Sequence, residues 1–214
     1  MVDQQRTGHE TERDETAKLI LQAARQLFMA HGYRAVSTRQ VAEAVGLTQP
    51  ALYHHFGTKE ELYAAVAMAE LVRMRAGLER IARREAPTEE RLRGAARFLL
   101  TTVDYDFPMM YHDMGTELGE ATRKRLGEAF YGGVVAPLAA IFADGQRDGA
   151  IRDAAHGGLD AAEAAGLFMS FVAHFLERPL VAAPRVSLGS SEARAETLVR
   201  LLLDGLGTAQ AEPI

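Results

Sequence analysis

Residues 37–62 read Ser37-Thr38-Arg39-Gln40-Val41-Ala42-Glu43-Ala44-Val45-Gly46-Leu47-Thr48-Gln49-Pro50-Ala51-Leu52-Tyr53-His54-His55-Phe56-Gly57-Thr58-Lys59-Glu60-Glu61-Leu62. Ser37 or Thr38 can cap a short helix whose inward side is Val41, Ala42 and Val45. Gly46 closes that helix and Leu47 points back toward the core. Thr48 is a good N-cap for the next helix, with Pro50 in its first turn, where the missing amide hydrogen has no intrahelical acceptor anyway. Leu52 and Phe56 supply the buried side, Gly57 ends the helix, and Thr58 with Glu61 forms a capping box for a longer one. Two short helices joined by a glycine-containing turn and flanked by support helices make a helix-turn-helix.

Working outward, Ala17, Ile20, Leu21, Ala24, Leu27 and Phe28 stack at i, i+3, i+4 spacing on a first helix that Gly32 stops. Residues 1–12 have no apolar face and read as a disordered tail, leaving 13–60 as the helix-turn-helix domain. Downstream, a helix runs from Lys59 through Leu62, Val66, Ala69 and Val72 to about Arg84. Thr88 starts another, broken at Pro108. The segment Glu117 to Asp148 contains Pro137, which must kink or divide it. Residues 149–158 form a glycine-rich connection. Asp160 caps an apolar helix reaching Arg178, and the last helix, Ser190 to about Leu206, carries the stripe Ala195, Leu198, Val199, Leu202 and Leu206. Strand alternation is almost missing. The predicted class is all-α, with the N-terminal helix-turn-helix domain followed by a helical domain over 61–214.

Composition removes whole function classes. Of 214 residues, 48% are apolar and 25% charged, so a disordered chain is excluded. Cysteine is absent, which excludes disulfide scaffolds, thiolate metal sites and cysteine nucleophiles. The longest runs free of Asp, Glu, Lys and Arg are 15 residues, shorter than the roughly 20 a membrane helix needs. The N-terminus carries no signal-peptide pattern. The expectation is a cytoplasmic protein with no membrane partner. Net charge is −5, yet unevenly spread. Residues 16–60 hold five basic side chains against Glu43 and Glu60, while the rest is acidic. That asymmetry permits nucleic-acid binding by one end only.

The residues quoted above carry a resemblance. Ala17 to Ala24, Leu27-Phe28, Gly32-Tyr33, Thr38, Val41-Ala42, Val45-Gly46-Leu47-Thr48, Leu52-Tyr53-His54-His55-Phe56 and Lys59-Glu60-Glu61-Leu62 resemble the DNA-binding domain of the TetR family of transcriptional repressors. The likeness covers about 50 residues without insertion, and Val41 stands where the family usually has isoleucine. Such a domain presents its recognition helix to the major groove. On that helix Gln49, Pro50, Ala51, Tyr53 and His54 face outward. Gln49 can bond adenine at two atoms, and Pro50 or Ala51 can touch a thymine methyl. The resemblance assigns the Tyr53 hydroxyl to a phosphate. Thr38, Thr48 and Lys59 are placed near phosphates at helix starts, though both threonines are good caps without DNA, and Arg39 can reach a phosphate or a guanine. His54 and His55 point about 100° apart and form no metal pair.

In this family the remaining helices form a dimer and enclose a small-molecule pocket. Tyr105, Met109, Met110, Tyr111 and Met114 crowd the interval around Pro108, with Phe98, Thr102 and Phe130 on helices facing it. Such methionine and aromatic groups line adaptable apolar cavities, and they also fill ordinary cores. Phe168, Phe171, Val172 and Phe175 make the bulky face of the Asp160 helix, assigned to core or pocket; His174 reads by default as a satisfied buried histidine, with a hydrogen bond to a ligand as the alternative. Gly166, Met169, Ser170 and Ala173 make its small face, assigned to a dimer interface with Leu198 and Leu202. No Gly-x-Ser-x-Gly, His-Glu-x-x-His, P-loop or Gly-x-Gly-x-x-Gly occurs, so no catalytic residue, cofactor or metal is expected. Asp113, Glu117 and Glu120 read as a solvated acidic face.

The expectation is therefore a homodimeric repressor on a palindromic operator of double-stranded DNA. A small apolar or aromatic effector near Phe98, Met110 and Phe168 would release it. A transcriptional activator or a ligand-independent DNA-binding protein would show the same N-terminal half.

Overall fold

The computed structural model describes the backbone of residues 2–102, 107–176 and 189–206, and the side chains of 13–101, 112–176 and 189–205. Ten α-helices account for the described regular structure, together with one π-helical and one 3-10 turn, and no strand occurs among these residues. They are α1 (Val2–Ala35), α2 (Thr38–Ala44), α3 (Gln49–His55), α4 (Lys59–Ala82), α5 (Thr88–Thr102) and α6 (Phe107–Thr116). Then follow α7 (Glu120–Phe130), α8 (Ala136–Arg147), α9 (Ala161–Phe175) and α10 (Ser191–Leu206). The all-α expectation holds.

The chain packs as two compact units. The first comprises Met1–Glu70 with Tyr105–Leu126, the second Leu71–Asp104 with Gly127–Ile214. This differs from a single cut after residue 60, because α6 returns to the N-terminal helices some 80 residues later in the chain. In the first unit Ile20, Ala24 and Phe28 of α1 are buried with Val41 and Ala42 of α2, Leu52 of α3, and Leu62, Tyr63 and Val66 of α4. Phe28 and Tyr33 each meet the Tyr63 ring edge-on, with centroids 5.1 Å apart. Gly32 adopts φ 81°, so regular helix stops there as the sequence requires. Residues 2–12, expected as a tail, continue α1.

The second unit is a layered bundle in which α5 packs on α10 and α8 packs on α9. Its core includes Leu78, Leu92, Leu99, Leu138, Ile141, Phe142, Phe168 and Val172. Pro137 divides the long segment by a specific device. It occupies the first turn of α8, directly after a π-helical turn over Tyr131–Val135. Proline lacks an amide hydrogen and its ring displaces the carbonyl four residues back. The wide turn absorbs that mismatch, with the Ala136 amide donating to the Tyr131 carbonyl.

The helix begun at Thr88 ends at Thr102, before Pro108, which lies in the first turn of α6, where proline is tolerated. The Asp160 helix ends at Phe175, and the expected continuation to Arg178 and the proline-containing loop after it lie outside the described residues. Glu120–Arg147, α7 to α8, contains an 18-residue stretch of mean hydropathy 1.5, long and apolar enough to cross a membrane by length and composition. Its apolar residues Leu138, Ile141 and Phe142 are instead core of the second unit.

Candidate nucleic-acid interface

Local chemistry builds the two short helices. Ser37 caps α2 by accepting from the Gln40 amide, and the Gln40 side chain reciprocates on the Ser37 amide at 2.8 Å. Val45 and Gly46 end α2, with Gly46 at φ 70°, a left-handed conformation that a side chain would strain. Thr48 caps α3, accepting from the Ala51 amide, and the Phe56 amide closes the helix on the Leu52 carbonyl. Leu52 is fully buried, which fixes the rotation of α3. Gln49, Pro50, Tyr53 and His54 are consequently exposed, and Ala51 is half-buried. Of the five residues expected to face outward, Gln49, Pro50, Tyr53 and His54 are exposed and Ala51 is not.

The side chains on this face are already organised. Thr38 is buried at 4% exposure, and its hydroxyl lies 3.1 Å from the Tyr53 hydroxyl. Gln49 Nε2 donates to the same Thr38 oxygen at 2.9 Å. Thr38 is thus a hub that orients two outward residues. Arg39 is exposed and pairs with Glu43 one turn on, at 2.8 Å. Lys59 is half-buried, its ammonium 4.3 Å above the Tyr33 ring, and burial pushes its pKa below the ordinary lysine value. Arg13 of α1 reaches the His54 carbonyl at the C-terminal end of α3, at 3.4 Å.

Sequence reasoning missed the anchor beneath this face. Asp113 of α6 is buried, and its Oδ2 accepts from the Tyr33 amide at 2.8 Å and from the Tyr63 hydroxyl at 3.2 Å. Burial first, then the carboxylate, hold the Tyr63 phenol well above its usual pKa, so it remains a donor. Arg34 pairs with Glu117 at 2.8 Å, and Glu60 accepts from the Gly119 amide at 3.1 Å. Asp113 and Glu117, expected as part of a solvated acidic face, instead tie α6 to α1 and α4 within the first unit.

The effector residues are less gathered. Tyr105 and the side chains of Thr102, Met109, Met110 and Tyr111 lie outside the described residues. Met114 is buried in the first unit. In the second, Phe168 is fully buried edge-on to Phe142, with centroids 6.1 Å apart. Phe175 is buried, while Phe98, Phe130 and Phe171 are half-buried. His174 is exposed and stands edge-on to Phe175 rather than facing the core.

On the face assigned to a dimer, Gly166 and Ser170 are exposed and Met169 and Ala173 are half-buried. Leu198 and Leu202 are a correction: they are 0% and 2% exposed, spent inside the chain in the packing of α10. Among the described residues, the large apolar side chains that α9 and α10 leave exposed are Leu167 and Leu201.

The fold and the outward face of α3 define an all-α helix-turn-helix protein. Residues 20–66 match the family described as bacterial regulatory proteins, tetR family. Over that stretch the chain is similar to the DNA-binding domain of this family. It is 32% identical over 101 residues to the HTH-type transcriptional activator FasR of Mycolicibacterium smegmatis, covering 47% of this chain and 46% of that one. It is 44% identical over 55 residues to the HTH-type transcriptional repressor AcnR of Corynebacterium efficiens, covering 26% and 29%. The chain thus spans under half the length of these two relatives. Its fold resembles the crystal structure of the regulator FadR from Bacillus subtilis in complex with stearoyl-CoA, with TM-score 0.72, 17% identity, and 88% and 98% of the chains covered.

Proposed function

We propose that this chain is a cytoplasmic, homodimeric transcriptional repressor that binds a palindromic operator and is released by a small apolar or aromatic effector. The observation that carries the reading is the exposed row Gln49, Pro50, Tyr53 and His54 on a capped, rotationally fixed α3, with Thr38 orienting Gln49 and Tyr53 from below. Base reading falls to Gln49, with Pro50 and Ala51 against thymine methyls, while Tyr53, Thr48, Arg39 and Lys59 serve the phosphates. Gly166, Met169, Ser170 and Ala173, with Leu167 and Leu201 beside them, supply the dimer contact that two half-sites require.

Effector control acts through α6. The Asp113 carboxylate holds the Tyr33 amide directly after the Gly32 stop, so a displacement of α6 pulls on the end of α1. A coupling of about 1–3 kcal/mol suffices for a 5- to 150-fold change in operator affinity. The stearoyl-CoA in the FadR structure supports an apolar effector. Sequencing the genomic fragments retained by the purified protein tests the reading. Sites overlapping core promoters are the expected outcome, and retention without sequence preference overturns it. The relative named FasR favours one second reading, activation, which predicts sites upstream of promoters instead.

A further inference from the structure

The second unit contains a groove of about 590 Å³ beside the C-terminal half of α4 and the start of α8, within the size range of small-molecule sites. Its lining includes Arg75, Arg83, Arg84 and Arg91 against two acids, Glu79 and Asp144. A net positive concavity on a chain of net charge −5 is a local departure from the molecule's own electrostatics. We propose that this groove binds a small molecule through a phosphate-type anionic group.

Three features make it a built site. Arg91 is 7% exposed at its side chain. One guanidinium nitrogen donates to Asp144 at 2.6 Å and to the Ala82 carbonyl at 3.1 Å, and the other reaches Thr88 at 3.4 Å. Its Nε is buried without a hydrogen-bond partner. Next, Glu79 holds Arg75 at 2.7 Å and Arg83 at 3.1 Å, so two forks are arrayed along one α4 face. Guanidinium groups so held lose little freedom on engaging phosphate. Finally, the wall opposite is made of Gly132, Ala136, Pro137 and Ala140, small groups that leave room for a ligand. Gly132 lies in the π-helical turn, a deviation found often at functional sites.

Charge at the end of α4 is the plainer explanation. Cations there complement the helix dipole, which accounts for Arg83, Arg84 and the Arg91 contact to Ala82. It does not account for Arg75, two turns upstream, or for the orphaned Arg91 Nε.

Calorimetric titration of the full chain without DNA, using inorganic pyrophosphate and ADP separately, tests the site independently of the DNA-binding reading. Binding of both points to the phosphates alone as the recognised group, and binding of ADP only to a nucleotide; either supports the site if the variants follow. R83A/R84A removes two exposed guanidiniums and is expected to weaken binding about tenfold or more. R200A on α10 is expected to leave it unchanged. No heat from either probe at about 1 mM, or equal losses in R83A/R84A and R200A, overturns the proposal.

Discussion

Gln49 donates its side-chain amide to the buried hydroxyl of Thr38 at 2.9 Å, so the first residue of the recognition helix is held from α2. One amide hydrogen and the carbonyl oxygen of Gln49 remain free, the pair that matches adenine in the major groove. Tyr53 shares the same hydroxyl from the other side, 3.1 Å away. Gln49 and Tyr53 are therefore both oriented by one threonine.

This arrangement separates two substitutions. Gln49→Ala is expected to relax base preference at one position in each half-site by about 1–3 kcal/mol, with affinity for other sequences little changed. Tyr53→Phe should weaken binding to all sequences alike. Fluorescence anisotropy on matched and single-mismatch duplexes separates the two; identical behaviour would mean that α3 is turned differently in the groove.

Asp113 anchors α6 to the end of α1. Asp113→Ala strands the buried Tyr33 amide and Tyr63 hydroxyl and is expected to cost about 1–3 kcal/mol for each unmet group. Asp113→Asn retains an acceptor and should lose less. Urea unfolding of the three proteins checks this, and equal midpoints for Asp113→Ala and the wild type would refute the anchor.

Gly77 sets helix propensity against packing. Alanine there would gain up to about 1 kcal/mol of helix preference. Its Cβ, however, would sit 2.2 Å from Phe98 Cζ and within 2.8 Å of two further ring carbons. Overpacking at about 1–3 kcal/mol wins, so Gly77→Ala is expected to lower the melting temperature. Adding Phe98→Leu should recover part of the loss, which a melting series on single and double variants would show.

Acid stability has a traceable component. The hydrogen bond from Arg91, followed by that from Arg147, holds the Asp144 carboxyl below its usual pKa. A depressed carboxylate contributes stability that is fully present above its unfolded value of about 3.9 and is lost as pH falls through the folded value. Asp144→Asn is expected to be less stable near neutrality and to show a shallower acid decline. Thermal melts from about pH 7 to about pH 3 test it; parallel curves would assign the acid sensitivity elsewhere.

The helix-turn-helix is legible in the sequence because its signals are local. Ser37, Gly46, and Thr48 with Pro50 each act within a few residues, and each does so in the fold. Asp113 is invisible to that logic, since its partners Tyr33 and Tyr63 lie 80 and 50 residues away. Leu198 and Leu202 show another limit. An apolar helical stripe looks the same whether it meets its own chain or a partner, and here its own α5 bundle takes it. Pro108 and Pro137 read alike as breaks, and each lies in the first turn of a helix, Pro137 directly after a π-helical turn that no local sequence signal announces.

The central claim is that α3 reads one half of a two-fold operator. Selection of bound duplexes from a random library by the ligand-free protein, at moderate salt, tests it most directly. The account predicts enrichment of a palindrome whose half-sites lie about 34–36 Å apart, with the information at one half-site position lost for Gln49→Ala. A folded protein that enriches no sequence, or one whose enriched motif is unchanged by Gln49→Ala, would contradict it.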